Sequence, residues 1–219
     1  MSGASFPLRI RDLDLPKPLL SPRQMRLGAW PEEVPAVWGF DELAGRLAEL
    51  SSLGPSATLT LAFRVLRDAQ SKGESVAWIS ARSSTFYPPD AAKSGVDLRA
   101  LVVVRARGGH GAVRAADHLL RSGGFGLVVL DLGPEARVPM AAQSRLLGLA
   151  QNHGAALLCL TEKGAHAASI GSLVSLRAET RRERIGEDRF RCRVQVLKDK
   201  RRAPGWSDLE IYRGPAGLR

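Results

Sequence analysis

Cysteine, histidine, aromatic residues and long apolar runs are all scarce in this chain. Only two cysteines, Cys159 and Cys192, occur among 219 residues. Each sits in an apolar or alternating run that reads as a strand. A metal site needs more ligands at closer spacing, so buried free thiols are expected. The four histidines, His110, His118, His153 and His166, show no ligand spacing either. No pairing of a nucleophile with a base is visible along the chain. Aromatic residues make up 5% of the sequence, so the core must be built from Leu, Val and Ala. No apolar run approaches the ~20 residues that span a membrane. The first ten residues lack a hydrophobic targeting core. A soluble, cytoplasmic protein is expected.

Acidic residues are also under-represented. There are 22 Asp and Glu against 32 Lys and Arg, a net charge of +10. Such a balance favours phosphate backbones or acidic protein surfaces over small neutral ligands, although a GC-rich genome, which loads proteins with arginine, gives the same composition. What is present is 44% apolar, enough for one sizeable core with a small appendage. Pro7, Pro16, Pro18, Pro22, Pro31 and Pro35 crowd the beginning of the chain. Proline fixes φ and removes a donor, so residues 1–38 read as an extended arm, and residues 39–219 as the core domain. Trp30 and Trp38 close the arm, and rings of that size dock either on the core or on a partner.

Beyond residue 40 the pattern becomes regular. Leu47–Leu50, Val76–Ile79, Leu101–Val104, Leu127–Leu130 and Ala156–Leu160 are strand-like apolar runs. Between them, Leu59, Ala62, Phe63 and Leu66 follow a helical stripe, as do Ala112, Ala115, Ala116 and Leu119, and more loosely Ala142, Leu146 and Leu149. Strands apolar on both faces that alternate with helices form a parallel sheet covered on both sides. After Leu160 the rhythm changes. Leu173–Arg177, Phe190–Leu197 and Leu209–Tyr212 read as strands with little helix between them. Arg191, Arg193 and Gln195 alternate with Cys192, Val194 and Val196, the period of a half-exposed antiparallel strand. The expected architecture is an α/β core of mainly parallel sheet flanked by helices, with a C-terminal antiparallel extension.

Four segments in order resemble bacterial RecA recombinases. They are Gly45 to Phe63 through Gly54-Pro55, Ala77-Trp78-Ile79 with Ala92 to Leu98, Phe125 to Asp131, and Val194 to Pro204. The resemblance implies a RecA-like core over roughly residues 40–213, with Gly54, Ser56, Thr58 and Asp131 at the vestiges of the two nucleotide-binding motifs. The departures matter as much. A phosphate loop needs a lysine for the β and γ phosphates, and Leu50 to Thr58 contains none. Pro55 removes an amide that could cradle phosphate. Arg82 stands where RecA has the acid that activates water, and a guanidinium cannot act as a base. The counterparts of the two DNA-binding loops, about Leu132–Met140 and Thr161–Leu173, are short. The second holds Lys163 and His166 without a stacking aromatic. Gly108-Gly109-His110-Gly111 reads as a flexible turn opening a helix.

A basic, degenerate RecA-like chain of this length is similar to the ImuA family, whose Trp-containing leading segment Val37 to Ala44 resembles. That resemblance implies a non-catalytic adaptor without cofactor in SOS-induced mutagenesis and translesion DNA synthesis. Its partners would be RecA, ImuB and, indirectly, an error-prone DNA polymerase. Two other classes stay open, a weak P-loop-type ATPase and a basic DNA-binding protein of DNA repair. In RecA filaments two lysines of a late strand reach the neighbour's ATP. The matching residues are Lys198 and Lys200, which implies contact with an adjoining RecA protomer. Solvated strand-end lysines are the alternative. Between Arg177 and Arg202 there are eleven Lys and Arg against five Asp and Glu. Arg181, Arg182, Arg184, Arg191 and Arg193 are expected to form a basic face for DNA or an acidic partner, or else a solvated edge.

Overall fold

The computed structural model of the chain describes residues 37–54, 56–81, 86–134 and 136–214. The prolines of the arm, Trp30, Pro55 and Arg82 lie outside the described residues. The apolar runs become Leu47–Ser52 (β1), Val76–Ser80 (β2), Leu101–Arg105 (β3), Leu127–Gly133 (β4) and Ala156–Glu162 (β5). They are followed by Leu176–Arg184 (β6), Arg189–Asp199 (β7) and Ser207–Arg213 (β8). All eight form one sheet in the order β3-β2-β4-β5-β1-β6-β7-β8. The first six strands in that order are parallel, whereas β7 and β8 run antiparallel to their neighbours. This is the expected α/β sheet with its antiparallel extension.

Every residue of β1, β2 and β4 is buried, because helices cover both faces of the sheet there. Phe40–Leu43 (α1) and Thr58–Ser71 (α2) pack on one face, where Trp38, Leu61, Phe63 and Leu66 meet Trp78 and Leu158. Pro88–Lys93 (α3) adds Ala91 to the same side. Gly108–Arg121 (α4) and Met140–Asn152 (α5) cover the other face with Ala112, Ala116, Leu120 and Leu146. The stripes differ in detail from those read in the sequence. Leu59 falls in the first turn of α2 and is exposed, whereas Leu61, Val65 and Ala69 are buried. In α4 the buried line includes Val113 and Leu120, with Ala115 and Leu119 at its margin.

Trp38 is fully buried and docks on its own core. Its amide donates to Asp208 at 2.9 Å, and Arg64 of α2 binds Asp208 at 2.7 Å and Glu210 at 3.0 Å. One acidic strand end thus fixes both the arm exit and the helix. β6 starts later and runs further than expected. Leu173 and Val174 belong to the loop packed on the second core, whereas the polar residues Thr180–Arg184 find their partners on β7. Only Leu176–Glu179 also pair with β1, so the far half of the β6–β7 hairpin projects beyond the parallel sheet. Both cysteines are free and buried, as their strand context implied. No helix among the described residues is long and apolar enough to cross a membrane.

Candidate functional site

The winding of the chain reverses at β1, whose outgoing helix α2 lies on one face while α4 and α5 lie on the other. In open α/β sheets a crevice forms at such a point, outside the carboxyl ends of the strands. Here it is a cavity of about 270 Å³ whose lining includes Ser52, Gly54, Ser56, Thr58, Asp131 and Thr161. The four positions singled out in the sequence, Gly54, Ser56, Thr58 and Asp131, therefore meet at one cavity.

Hydroxyl groups shape the loop. Gly54 has φ +82°, the left-handed region that a side chain disfavours, and so lets the chain turn out of β1. The Ser56 hydroxyl accepts from the Thr58 amide at 3.0 Å, satisfying one of the free amides in the first turn of α2. The Thr58 hydroxyl donates to Ser52 Oγ at 3.0 Å and lies 2.7 Å from Ser56 Oγ and 3.0 Å from Thr180 Oγ1. With its one proton on Ser52 it accepts from the other two. One oxygen thus joins β1, the loop, α2 and β6. Asp131 is buried beside it, its carbonyl accepting from the Ala81 amide at 2.9 Å. Among the described lining residues the only charges are Asp131 and Glu162, with no lysine or arginine.

A second polar centre escaped sequence reasoning. Glu49, in the middle of β1, is wholly buried. Its Oε1 receives the Lys163 ammonium at 2.6 Å and the Thr161 hydroxyl at 3.0 Å. Its Oε2 receives the Ile170 amide at 3.0 Å, with Arg177 Nε at 4.0 Å. Arg177 donates to the carbonyls of Gly164 (2.9 Å) and Ala167, and Lys163 donates to that of Ala168 at 2.7 Å. The Gln143 amide reaches Ile170 O at 3.2 Å and Val138 O at 2.6 Å. The β5–β6 loop is therefore held down by side chains from β1, β6 and α5. His166 remains exposed on it. The one signal in the sequence was a lone glutamate inside an otherwise apolar strand, a residue that is buried only when paired.

Lys198 and Lys200 do converge, on the carbonyl of Ser172, at 3.5 and 2.8 Å. Burial, and then the charge of Lys200, lower the pKa of Lys198 from the ordinary lysine range. The registers place this pair at the amino-terminal end of the parallel strands, the opposite end from the cavity. The five arginines expected on one face are divided. Residues opposite one another in register share a face, so Arg181, Arg191 and Arg193 lie on one side and Arg182 and Arg184 on the other. Arg182 stacks over the Phe190 ring at 5.2 Å. Arg184 donates to the turn carbonyls of Gly186 (3.0 Å) and Glu187 (2.8 Å). These two hold the hairpin together. Proximity along the chain groups all five, but the strand period of two separates them.

The sheet order, the helices on both faces and the crevice at the β1–α2 turn define a RecA-like class of α/β domain. Residues 36–153, more than half of the chain, match the profile of the RecA N-terminal domain, and the chain belongs to that family. It is 36% identical over 129 residues to Protein RecA of Bifidobacterium longum (strain NCC 2705), covering 53% of this chain and 32% of that protein. Protein RecA of Rickettsia massiliae (strain Mtu5) is 32% identical over 117 residues, covering 48% of this chain and 34% of that protein. The match thus spans about a third of the length of these relatives. In fold the chain is similar to the flagellar accessory protein FlaH from Methanocaldococcus jannaschii. The TM-score is 0.56 at 11% identity, over 79% of this chain and 91% of the other.

Proposed function

We propose that this chain is a non-catalytic RecA-family accessory protein of the ImuA type, acting with RecA and ImuB in damage-induced mutagenesis and translesion DNA synthesis. The observation that carries the reading is the β1–α2 turn. A triphosphate there would meet Asp131 and Glu162 and no lysine from the loop. The Thr58 hydroxyl, placed where a phosphate loop offers its hydroxyl to magnesium, already donates to Ser52. This donor set does not fit a triphosphate with its metal. Calorimetry with Mg²⁺-ATP is expected to show no binding up to about 1 mM, the weak end of ordinary affinities. Turnover above background that is lost in Asp131→Ala would overturn the reading and make the chain a P-loop-type ATPase.

Lys198 and Lys200, at the far end of the sheet, meet at the Ser172 carbonyl, a neutral acceptor that leaves their charge available to a phosphate. Their convergence supports a role between molecules, in which they enter the ATP site of an adjoining RecA protomer and dock this protein on a filament end. Two ammonium groups on one face can share one phosphate. Pull-down of RecA is expected to need the ATP-bound form and to weaken in the Lys198→Ala, Lys200→Ala double variant. Equal capture by both proteins, or of ADP-bound and ATP-bound RecA, would rule the contact out. Salt-dependent DNA binding without partners would favour the alternative of a DNA-binding repair protein.

A further inference from the structure

The antiparallel extension assembles a surface that spacing along the chain does not reveal. The side of β6–β8 turned away from Cys192, Val194 and Tyr212 carries Arg181 opposite Arg193 and Glu183 opposite Arg191. Across the other edge of β7, Arg189 stands opposite Arg213, Arg191 opposite Ile211 and Arg193 opposite Leu209. Five arginines from three strands thus share one face, two of them newly placed there by the pairing of Arg189 with Arg213. Like charges directly opposite one another destabilise a sheet. Two such pairs occur on this one face, one across each edge of β7, so folding alone does not account for them. Among the described residues no ion pair engages Arg189, Arg193 or Arg213. Arg181 and Arg191 each have one glutamate, Glu179 and Glu183, at 3.2 Å.

The face is not uniformly basic. Leu209, 38% exposed, and half-buried Ile211 form an apolar stripe on β8 beside the arginines. A phosphate backbone would use the charge but would leave that stripe in water. A polypeptide with apolar side chains between its carboxylates would use both. β8 is also the last strand of the sheet among the described residues, and no described strand pairs with its outer edge.

We propose that the outer face of β6–β8 docks an acidic, leucine-containing segment of a partner protein along β8. The guanidinium groups of Arg189, Arg193 and Arg213 take its carboxylates, in the bidentate geometry that suits arginine. Leu209 and Ile211 receive its apolar side chains. The surface is separate from the cavity at the β1–α2 turn and does not depend on the accessory role proposed above, since a chain that hydrolysed ATP would carry it equally.

Fluorescence anisotropy of the full chain can test this with three labelled probes. They are a short peptide alternating Glu with Leu, an all-Glu peptide of equal charge, and a short DNA duplex. The Glu-Leu peptide is expected to bind tightest. Its affinity should fall roughly tenfold or more in Arg189→Glu, Arg193→Glu, Arg213→Glu. The charge-matched control Arg105→Glu, Arg107→Glu, Arg114→Glu should stay within about twofold. Leu209→Ser with Ile211→Ser, which keeps every charge, should reduce the Glu-Leu peptide to the level of the all-Glu peptide. Absence of binding by the folded chain would overturn the proposal. So would duplex binding tighter than either peptide and indifferent to Leu209→Ser with Ile211→Ser, which would make this a nucleic-acid surface.

Discussion

Asp199 and Arg46 show what a buried charge demands. Both side chains are almost completely buried, and they meet at 2.5 Å. Asp199 also accepts from the Arg201 amide at 2.9 Å and the Trp206 indole at 3.1 Å. Burial by itself would raise its pKa. The bond from Arg46, then those from Arg201 and Trp206, outweigh burial and hold it below the usual carboxylate value of 3.8. Arg46 belongs to the residue before β1, so the pair ties the start of the central strand to the end of β7. Replacing the aspartate with asparagine leaves the guanidinium buried without its counter-charge. Asp199→Asn is expected to cost about 3–5 kcal/mol in urea unfolding. A change below about 1 kcal/mol would mean that Arg46 finds another partner or water.

At the scale of elements, the β5–β6 loop is unusual in how it is held. It has no regular structure over residues 163–175 apart from turns, yet Glu49, Arg177 and Gln143 bind its backbone from three elements. Gly171 packs so closely on the Gln143 amide that a Cβ there would overlap it. Gln143 is buried, and its amide nitrogen is committed to two carbonyls, so it cannot swing away freely. Gly171→Ala is therefore expected to cost roughly 1–3 kcal/mol. In the Gly171→Ala, Gln143→Ala double variant the cost should be less than the sum of the single costs, by at least about 0.5 kcal/mol. Strict additivity in a double-mutant cycle would show that the two residues do not press on each other. The β6–β7 hairpin relies on a different device, with Arg182 over Phe190 and Arg184 on the turn carbonyls.

For the whole molecule, the carboxylates predict an acid limit. Asp117 joins Asp199 in having a lowered pKa. Burial raises it, but Arg145 and Arg121 on α5 and α4 more than reverse that. A group with a depressed folded pKa stabilises fully above its unfolded value and loses that contribution as pH falls through the folded one. For these two the loss begins below the ordinary value of 3.8. The melting temperature should therefore be little affected by them between about pH 7 and 5, and should fall steeply below about pH 4. Asp199→Asn should start lower and fall less. An acid limb identical in slope for both proteins would remove Asp199 from the titration.

How far the sequence alone reached follows from the range of each interaction. Strands β1, β2, β4 and β5 and the helices between them were legible because burial on both faces forces continuous apolar runs, a property of neighbouring residues, whereas β3, equally apolar in sequence, is the edge strand and leaves Val102 and Val103 exposed. The cavity positions Gly54, Ser56, Thr58 and Asp131 were legible through a resemblance confined to two short segments. Arg46 with Asp199, Glu49 with Arg177, and Gln143 with Ile170 were not. Each pair joins residues far apart in the chain, and no local pattern says which buried charge will meet which. The arginines of the hairpin were visible as a count but not as a surface. Their sides are set by the register of β6 on β7 and of β7 on β8, and a shift of one residue would exchange the two faces. Local composition thus fixes which segments are strands and helices. Only the pairing of those segments decides which side chains confront one another, and with them the charged face, the clamped loop and the hydroxyl-lined turn.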